Sequence, residues 1–245
     1  MSGHSHAKTV KRAKDANDKK RSNAFSKLSR LVSIAAKEGE DPEFNAKLRA
    51  AVEEAKKFNM PKDKIEAAIK RGSGEEQGAQ LEEVMYEALG PEGAMLILEG
   101  ITDNKNRTLA EIKQTLQKHN GKLADEGSLK WQFDKKGFIL ITLSEQSNPN
   151  KDNVELKAIE AGAEDIIWQK DEEKEVIEIR TKLEDLEKVK ENLENQKIKV
   201  ESSTLGWLAK QEIEISNKAK QALEKLFEEL DDNDAIQEIY SNLKP

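Results

Sequence analysis

Apolar side chains recur at helical spacing in the first third of this chain, and at strand spacing broken by further helices in the rest. Between Lys19 and Lys37, Phe25, Leu28, Val32 and Ala35 share one face. Asp41-Pro42 marks a turn or a helix start, after which Leu48, Ala51, Val52 and Ala55 form a second stripe with Phe58 near its end. Residues 59–72 read Asn-Met-Pro-Lys-Asp-Lys-Ile-Glu-Ala-Ala-Ile-Lys-Arg-Gly. Pro61 suits the first turn of a third helix, because its missing N–H would be unpaired there anyway. Ile65, Ala68 and Ile69 then point inward, and Gly72 is expected to close the helix in the left-handed conformation. Three such helices with short connections predict a small bundle, closely packed because its apolar set is rich in alanine.

Residues 72–80 predict a linker; their glycines follow a helix rather than a strand, so they do not form a nucleotide-binding fingerprint. Beyond it the pattern predicts strands over Leu81–Ala88 and Ala94–Gly100, joined by Gly90-Pro91-Glu92-Gly93. Thr108 and Glu111 suggest a capping box for a helix carrying Leu109, Ile112 and Leu116, ended by Asn120-Gly121. Leu129–Phe133 alternates as a strand. The next segment gives strand Phe138–Leu143, helix Asn153–Ala161, strands Ile166–Gln169 and Glu175–Arg180, a helix with Leu183, Leu186, Val189 and Leu193 on one face, and strand Ile198–Leu205. That β-α-β-β-α-β order is ferredoxin-like. Trp207–Ile215 predicts another strand, Lys218–Leu230 a helix, and Ile236–Tyr240 a short strand or turn. These last pieces are too few for a domain and are expected to complete the sheet begun at residues 81–133. The expected fold is α+β: a helical bundle over residues 1–75 with an N-terminal arm, a discontinuous α/β domain over 79–134 and 206–245, and a ferredoxin-like domain inserted at 135–205.

Charge sharpens this division. Up to Gly72 there are 18 Lys and Arg against 10 Asp and Glu, a net of +8, while the remainder holds 23 against 38, a net of −15. Residues 1–37 alone carry ten basic residues and two aspartates. A basic head on an acidic body points to an anionic partner bound at the head, and a phosphate backbone fits best. Cysteine is absent, which excludes disulfides and thiolate metal sites, and no apolar run reaches the ~18 residues of a membrane span. The N-terminus lacks the apolar core of a secretory signal, so a cytoplasmic protein is expected.

The candidate phosphate-binding residues are Lys8, Lys11, Arg12, Lys14, Lys19, Lys20, Arg21, Lys27 and Arg30 of the arm and first helix, Lys62, Lys64, Lys70 and Arg71 of the bundle, and Arg107, which Asp103 could hold instead. Catalytic chemistry is thinly represented. Asp231-Asp232-Asn233-Asp234 is the densest acidic cluster, but it lacks the glycine and terminal glutamate of a calcium loop and suits a helix-ending loop. Asp103, Glu111 and His119 could be imagined as a site, though His119 suits a helix end. His4 and His6 are too few for a metal site. Neither a Walker loop nor a nucleophile elbow is present, so no enzyme, cofactor or metal is expected.

Several motifs together are specific. They include Gly3-His4-Ser5, Asn59-Met60-Pro61-Lys62-Asp63, Ala68-Ile69-Lys70-Arg71-Gly72, Tyr86-Glu87, Gly90-Pro91, Thr102-Asp103-Asn104, Asn106-Arg107-Thr108 with Glu111, Gly127-Ser128, Lys136-Gly137, Ala161-Gly162-Ala163-Glu164-Asp165, and Gln237 with Tyr240. By these the chain resembles, along its whole length, the YebC/PmpR family of gene-expression regulators, which includes the mitochondrial translational activator of cytochrome c oxidase. It departs from the family at His6-Ala7, where Lys-Trp is usual, and at Asn23, where lysine is usual. The resemblance implies a helical bundle followed by two α/β domains, one inserted in the other. It implies a non-enzymatic nucleic-acid-binding regulator of the kind labelled a probable DNA-binding transcriptional regulator. The alternative it implies is a ribosome-associated translation factor that binds ribosomal RNA and relieves stalling on proline-rich sequences. A monomer is expected, with DNA or ribosomal RNA, and through the latter the ribosome, as partner, and no membrane contact.

Overall fold

A computed structural model describes residues 18–75, 80–146, 150–171 and 174–244. Three helices come first: α1 (Asp18–Ala36), α2 (Ala46–Lys57) and α3 (Lys62–Ser73). Their predicted stripes meet as one core, in which Val32, Leu48, Ala55 and Ala68 are fully buried. Two polar devices fix the turns. Asn45 caps α2 by accepting from the Leu48 N–H at 3.0 Å, while its amide donates to the carbonyls of Ala35 (2.8 Å) and Gly39 (2.7 Å). Asn59 takes the left-handed conformation (φ 56), which asparagine tolerates, and Met60 drops into the core, so that Pro61 becomes the residue before α3 rather than its first turn.

Gly72 does not close α3. The helix continues to Ser73, and Gly74 takes the left-handed position (φ 87). Gly72 is needed inside the helix instead. A β-carbon there would overlap the Ser33 carbonyl oxygen of α1 and come within 2.7 Å of the Ala36 β-carbon. The Ser33 hydroxyl also donates to the Ala68 carbonyl at 2.7 Å, so α1 and α3 touch backbone to backbone.

The first sheet contains β1 (Glu82–Leu89), β2 (Met95–Thr102), β3 (Lys122–Leu123) and β8 (Ile236–Ser241), in the antiparallel order β3-β1-β2-β8. The C-terminal strand thus returns to complete the sheet of the first two. Helices α4 (Lys105–Lys118) and α7 (Asn217–Asp231) join Leu96, Leu98 and Ile239 in one core through Ile112, Leu116, Leu223, Leu226 and Leu230. The cap of α4 is Asn104, which accepts from Arg107 N–H at 3.1 Å; the predicted Thr108 is a buried partner of the Thr102 hydroxyl at 2.8 Å.

The second sheet has β4 (Phe133–Thr142), β5 (Asp165–Asp171), β6 (Lys174–Lys182) and β7 (Ser202–Ala209) in the order β5-β6-β4-β7. Helices α5 (Lys151–Ala161) and α6 (Leu186–Asn195) pack with its isoleucines Ile139, Ile141, Ile177 and Ile179, which gives the predicted ferredoxin-like arrangement. Residues Gln132–Lys210 form one compact unit, and the described residues before and after them form the other.

Four strand expectations change. Leu129–Phe133 is mostly a single 3-10 turn over Lys130–Gln132, and the amides of Gly127, Leu129 and Lys130 bind the buried Glu87 carboxylate at 2.6, 2.5 and 2.9 Å. β4 then begins at Phe133 and runs through Gly137, which looks like a break in sequence but is held against Thr181 and Leu186. The predicted strand Trp207–Ile215 also fails. Its first residues, Trp207 to Ala209, are instead the end of β7, which starts at Ser202 rather than at the predicted Ile198, and Ile213 forms only a single bridge to Leu243. Among the described residues no helix is long and apolar enough to cross a membrane.

Candidate nucleic-acid interface

The cations singled out in the sequence fall into two groups with different surroundings. Lys27 and Arg30, one turn apart on α1, are mostly buried against the end of α7. Lys27 Nζ lies 2.6 Å from Asp231 Oδ1, and one turn earlier Asn23 donates to the Asp231 carbonyl at 3.0 Å. Both contacts place donors where a helix C-terminus carries partial negative charge. Arg30 donates to Asp234 at 2.8 Å and to the Ile101 carbonyl at 3.3 Å, and its guanidinium lies 3.7 Å from the Asp103 carboxylate. Asp103 also binds Arg107 at 2.5 Å, and Arg107 lies 3.9 Å from Glu111, which accepts from Asn233 at 2.9 Å. The Thr-Asp-Asn…Asn-Arg-Thr motif and the acidic cluster therefore build one polar network that seats α1 on the first sheet's unit. Arg107, half exposed, is held by Asp103.

The second group is exposed. Arg21 near the start of α1 and Lys64 on α3 both lie over the Phe25 ring, at 5.4 and 5.3 Å from its centroid. Arg71 follows Lys64 by two turns and lies on the same flank of α3. Lys70 faces solvent beside it, and Lys62, 88% exposed, lies 3.4 Å from Glu66 on the other flank. The exposed side of α3 thus presents Lys62, Asp63, Lys64, Glu66, Lys70 and Arg71, with no Asn or Gln among them. Lys19 and Lys20 lie within α1, with side chains outside the described set; Lys8, Lys11, Arg12 and Lys14, and with them His4 and His6, lie outside the described residues.

Sequence reasoning missed Asn23 as a contact residue of α1, and Asp231 and Asp234 as the partners of that helix. One signal was available: Lys27 and Arg30 are three residues apart, as are Asp231 and Asp234. The imagined site of Asp103, Glu111 and His119 does not assemble. His119 Nε2 lies 2.9 Å from Glu229 Oε2, which also accepts from Lys118 at 2.7 Å. These donors hold the Glu229 carboxyl below its usual range, Lys118 contributing most. Among the described residues no three His, Asp or Glu side chains converge as a metal site would require.

Comparison with known proteins places this geometry. Residues 5–75 match the TACO1/YebC protein N-terminal domain, and residues 81–243 match the TACO1/YebC second and third domain. A probable transcriptional regulatory protein of Persephonella marina is 43% identical over 246 residues, spanning 100% of this chain and 96% of its own. One from Petrotoga mobilis is 46% identical over 243 residues, spanning 99% and 94%. The crystal structure of Aq1575, a conserved hypothetical protein from Aquifex aeolicus, superposes with a TM-score of 0.83 at 39% identity, covering 93% of this chain and 91% of that one.

Proposed function

The chain belongs to the TACO1/YebC family, and from that premise we propose that it is a non-enzymatic regulator of gene expression whose helical bundle binds the phosphate backbone of a nucleic acid. Its relatives are described as probable transcriptional regulatory proteins, which makes duplex DNA the first ligand to test. The observation that carries the reading is the division of cations. Lys27 and Arg30 are occupied by aspartates, while Arg21, Lys64, Lys70 and Arg71 remain exposed on the basic third of a chain whose remainder carries a net charge of −15. Phosphate contacts need exposed cations of this kind, and they set affinity rather than sequence choice.

One observation favours folded RNA, including ribosomal RNA, as a second reading. The exposed side of α3 has Lys, Arg, Asp and Glu but none of the Asn or Gln side chains that read adenine edges in a major groove. A face that binds by backbone shape and charge suits structured RNA as well as duplex DNA. The two are separated by titrating the full chain with labelled duplex DNA and with labelled ribosomal RNA fragments across a salt series. Affinity that falls steeply with salt is expected, and the tighter ligand names the physiological class. A flat salt response for both would remove the bundle face from the mechanism.

A further inference from the structure

Two open sheets leave four edges, and three of them carry features that block pairing with another strand. β3 is only two residues long. Next to β8, the chain at Ile213 bridges to Leu243, donates to the Asn242 carbonyl at 2.8 Å, and accepts from Lys244 at 3.0 Å. β5 begins on the exposed Asp165. The fourth edge, β7, has no such guard. Its eight residues, Ser-Ser-Thr-Leu-Gly-Trp-Leu-Ala, include no charge and no proline in a chain that is 36% charged. It pairs with β4 along its full length without a bulge, and among the described residues no strand lies beyond it.

The register says which backbone groups face outward. Lys210 N–H donates to the Gln132 carbonyl at 2.8 Å, one step beyond the Ala209–Phe133 pair. Alternation along an antiparallel ladder then turns the even-numbered residues toward β4 and the odd-numbered residues from Ser203 to Ala209 away from it. Leu205 on this edge is 39% exposed, and Lys135 lies over the half-buried Trp207 ring at 5.4 Å.

We propose that β7 is a homotypic interface at which two copies of this chain pair antiparallel about a two-fold axis, joining their four-stranded sheets into one of eight. The ends of the strand select this occupant. Glu201 precedes β7 and Lys210 follows it, both exposed. Antiparallel self-pairing brings Glu201 of each copy to the Lys210 end of the other, whereas parallel pairing would set like charges together. In the register that places Ser203 opposite Ala209, Leu205 of each copy faces Trp207 of the other, an aliphatic–aromatic pair repeated on both sides of the axis. The proposed interface differs from the monomer expected from sequence and is independent of the nucleic-acid reading.

Sedimentation velocity of the full chain over a concentration series tests this. The wild type is expected to shift from one chain to two as concentration rises. Leu205→Lys, which places a charge on the edge, is expected to stay at one chain. Glu201→Lys and Lys210→Glu are each expected to weaken association about tenfold, and the double exchange to restore it, because a tenfold change corresponds to about 1.4 kcal/mol. Within each chain, Glu201 accepts the Thr142 hydroxyl and Lys210 lies 3.4 Å from Asp134, so thermal melts establish that each variant is folded. A single-chain mass for the wild type at every concentration overturns the proposal. So does a dimer that Leu205→Lys leaves intact, or a charge exchange that restores nothing.

Discussion

Lys27 and Asp231, 204 residues apart in the chain, meet at 2.6 Å, and their contact binds the first helix of the bundle to the last helix of the protein. The Lys27 side chain is 11% exposed and Asp231 40%, so the pair is neither a free surface bridge nor a sealed one. For such a pair the largest effect comes from removing one partner and leaving the other buried without it. Asp231→Ala is expected to destabilise the protein by about 1–3 kcal/mol. Lys27→Met, which keeps the stem and removes the charge, should cost less, and the double variant should cost less than the two single changes added together. Chemical denaturation of all four proteins closes the cycle. Strict additivity would mean that the contact contributes nothing to the seating of α1.

Gly72 sets a second limit on the bundle. In an exposed helix, replacing glycine by alanine would stabilise by roughly 1 kcal/mol. Here the new methyl group would strike the Ser33 carbonyl and the Ala36 side chain, so α1 and α3 must separate. Gly72→Ala is expected to destabilise by about 1–3 kcal/mol net, as overpacked cores do. Gly74→Ala gives the contrast. Gly74 has φ 87 and open space around it, so the cost there is only about 1 kcal/mol of backbone strain. Thermal melts of both variants should rank them in that order, and equal losses would show that the close approach of the helices is not the cause.

These two sites show where the sequence was legible and where it was not. The stripes of the bundle could be seen because helical packing is periodic: Leu28, Val32, Leu48, Ala51, Val52 and Ala55 are all buried as their spacing predicts. Strand order in the ferredoxin-like sheet followed from alternation and from turns such as Gly162, which is left-handed at the end of α5. Local pattern says nothing about partners 200 residues away. Lys27 and Arg30 therefore looked the same as Lys64 and Arg71, although one pair holds the fold together and the other faces solvent. The Asn-Met-Pro motif was equally ambiguous. It read as part of a binding element, yet Asn59 supplies a left-handed turn and Met60 a core contact, which leaves Lys62 as the exposed cation that follows them.

Helix α7 is held at both ends by carboxylates whose titration should be visible. At its start, Glu92 accepts from the Ser216 hydroxyl and amide at 2.6 and 2.8 Å; near its end, Glu229 accepts from Lys118 and His119. Both carboxyls are lowered from the ordinary value of 4.5, chiefly by the Ser216 and Lys118 side chains respectively. A carboxyl whose folded value is depressed contributes stability above its unfolded value and loses it as pH falls through the folded one. Stability should therefore drop on acidification below about pH 4.5, with a shallower drop in Glu229→Gln and in Glu92→Gln. Both groups are open to solvent, so each effect is small and screened by salt. Denaturation midpoints across an acid series measure it, and slopes identical to the wild type would remove these contacts from the acid response.

The sharpest separation between binding and seating comes from the salt dependence of nucleic-acid affinity. If Lys64, Lys70 and Arg71 each neutralise one phosphate, replacing all three by alanine should lower the slope of log affinity against log salt by about 2–3 on duplex DNA. The substitutions fall on exposed side chains, so the melting temperature should hardly move. Lys27→Met and Arg30→Met should behave in the opposite way. Their charges are spent on Asp231 and Asp234, so stability falls while the salt slope stays near that of the wild type. Fluorescence anisotropy at several salt concentrations, with melts of the same samples, reads both quantities. A loss of slope in the Lys27 and Arg30 variants, with none in the triple variant, would reverse the assignment and place the phosphate contacts at the α1–α7 junction.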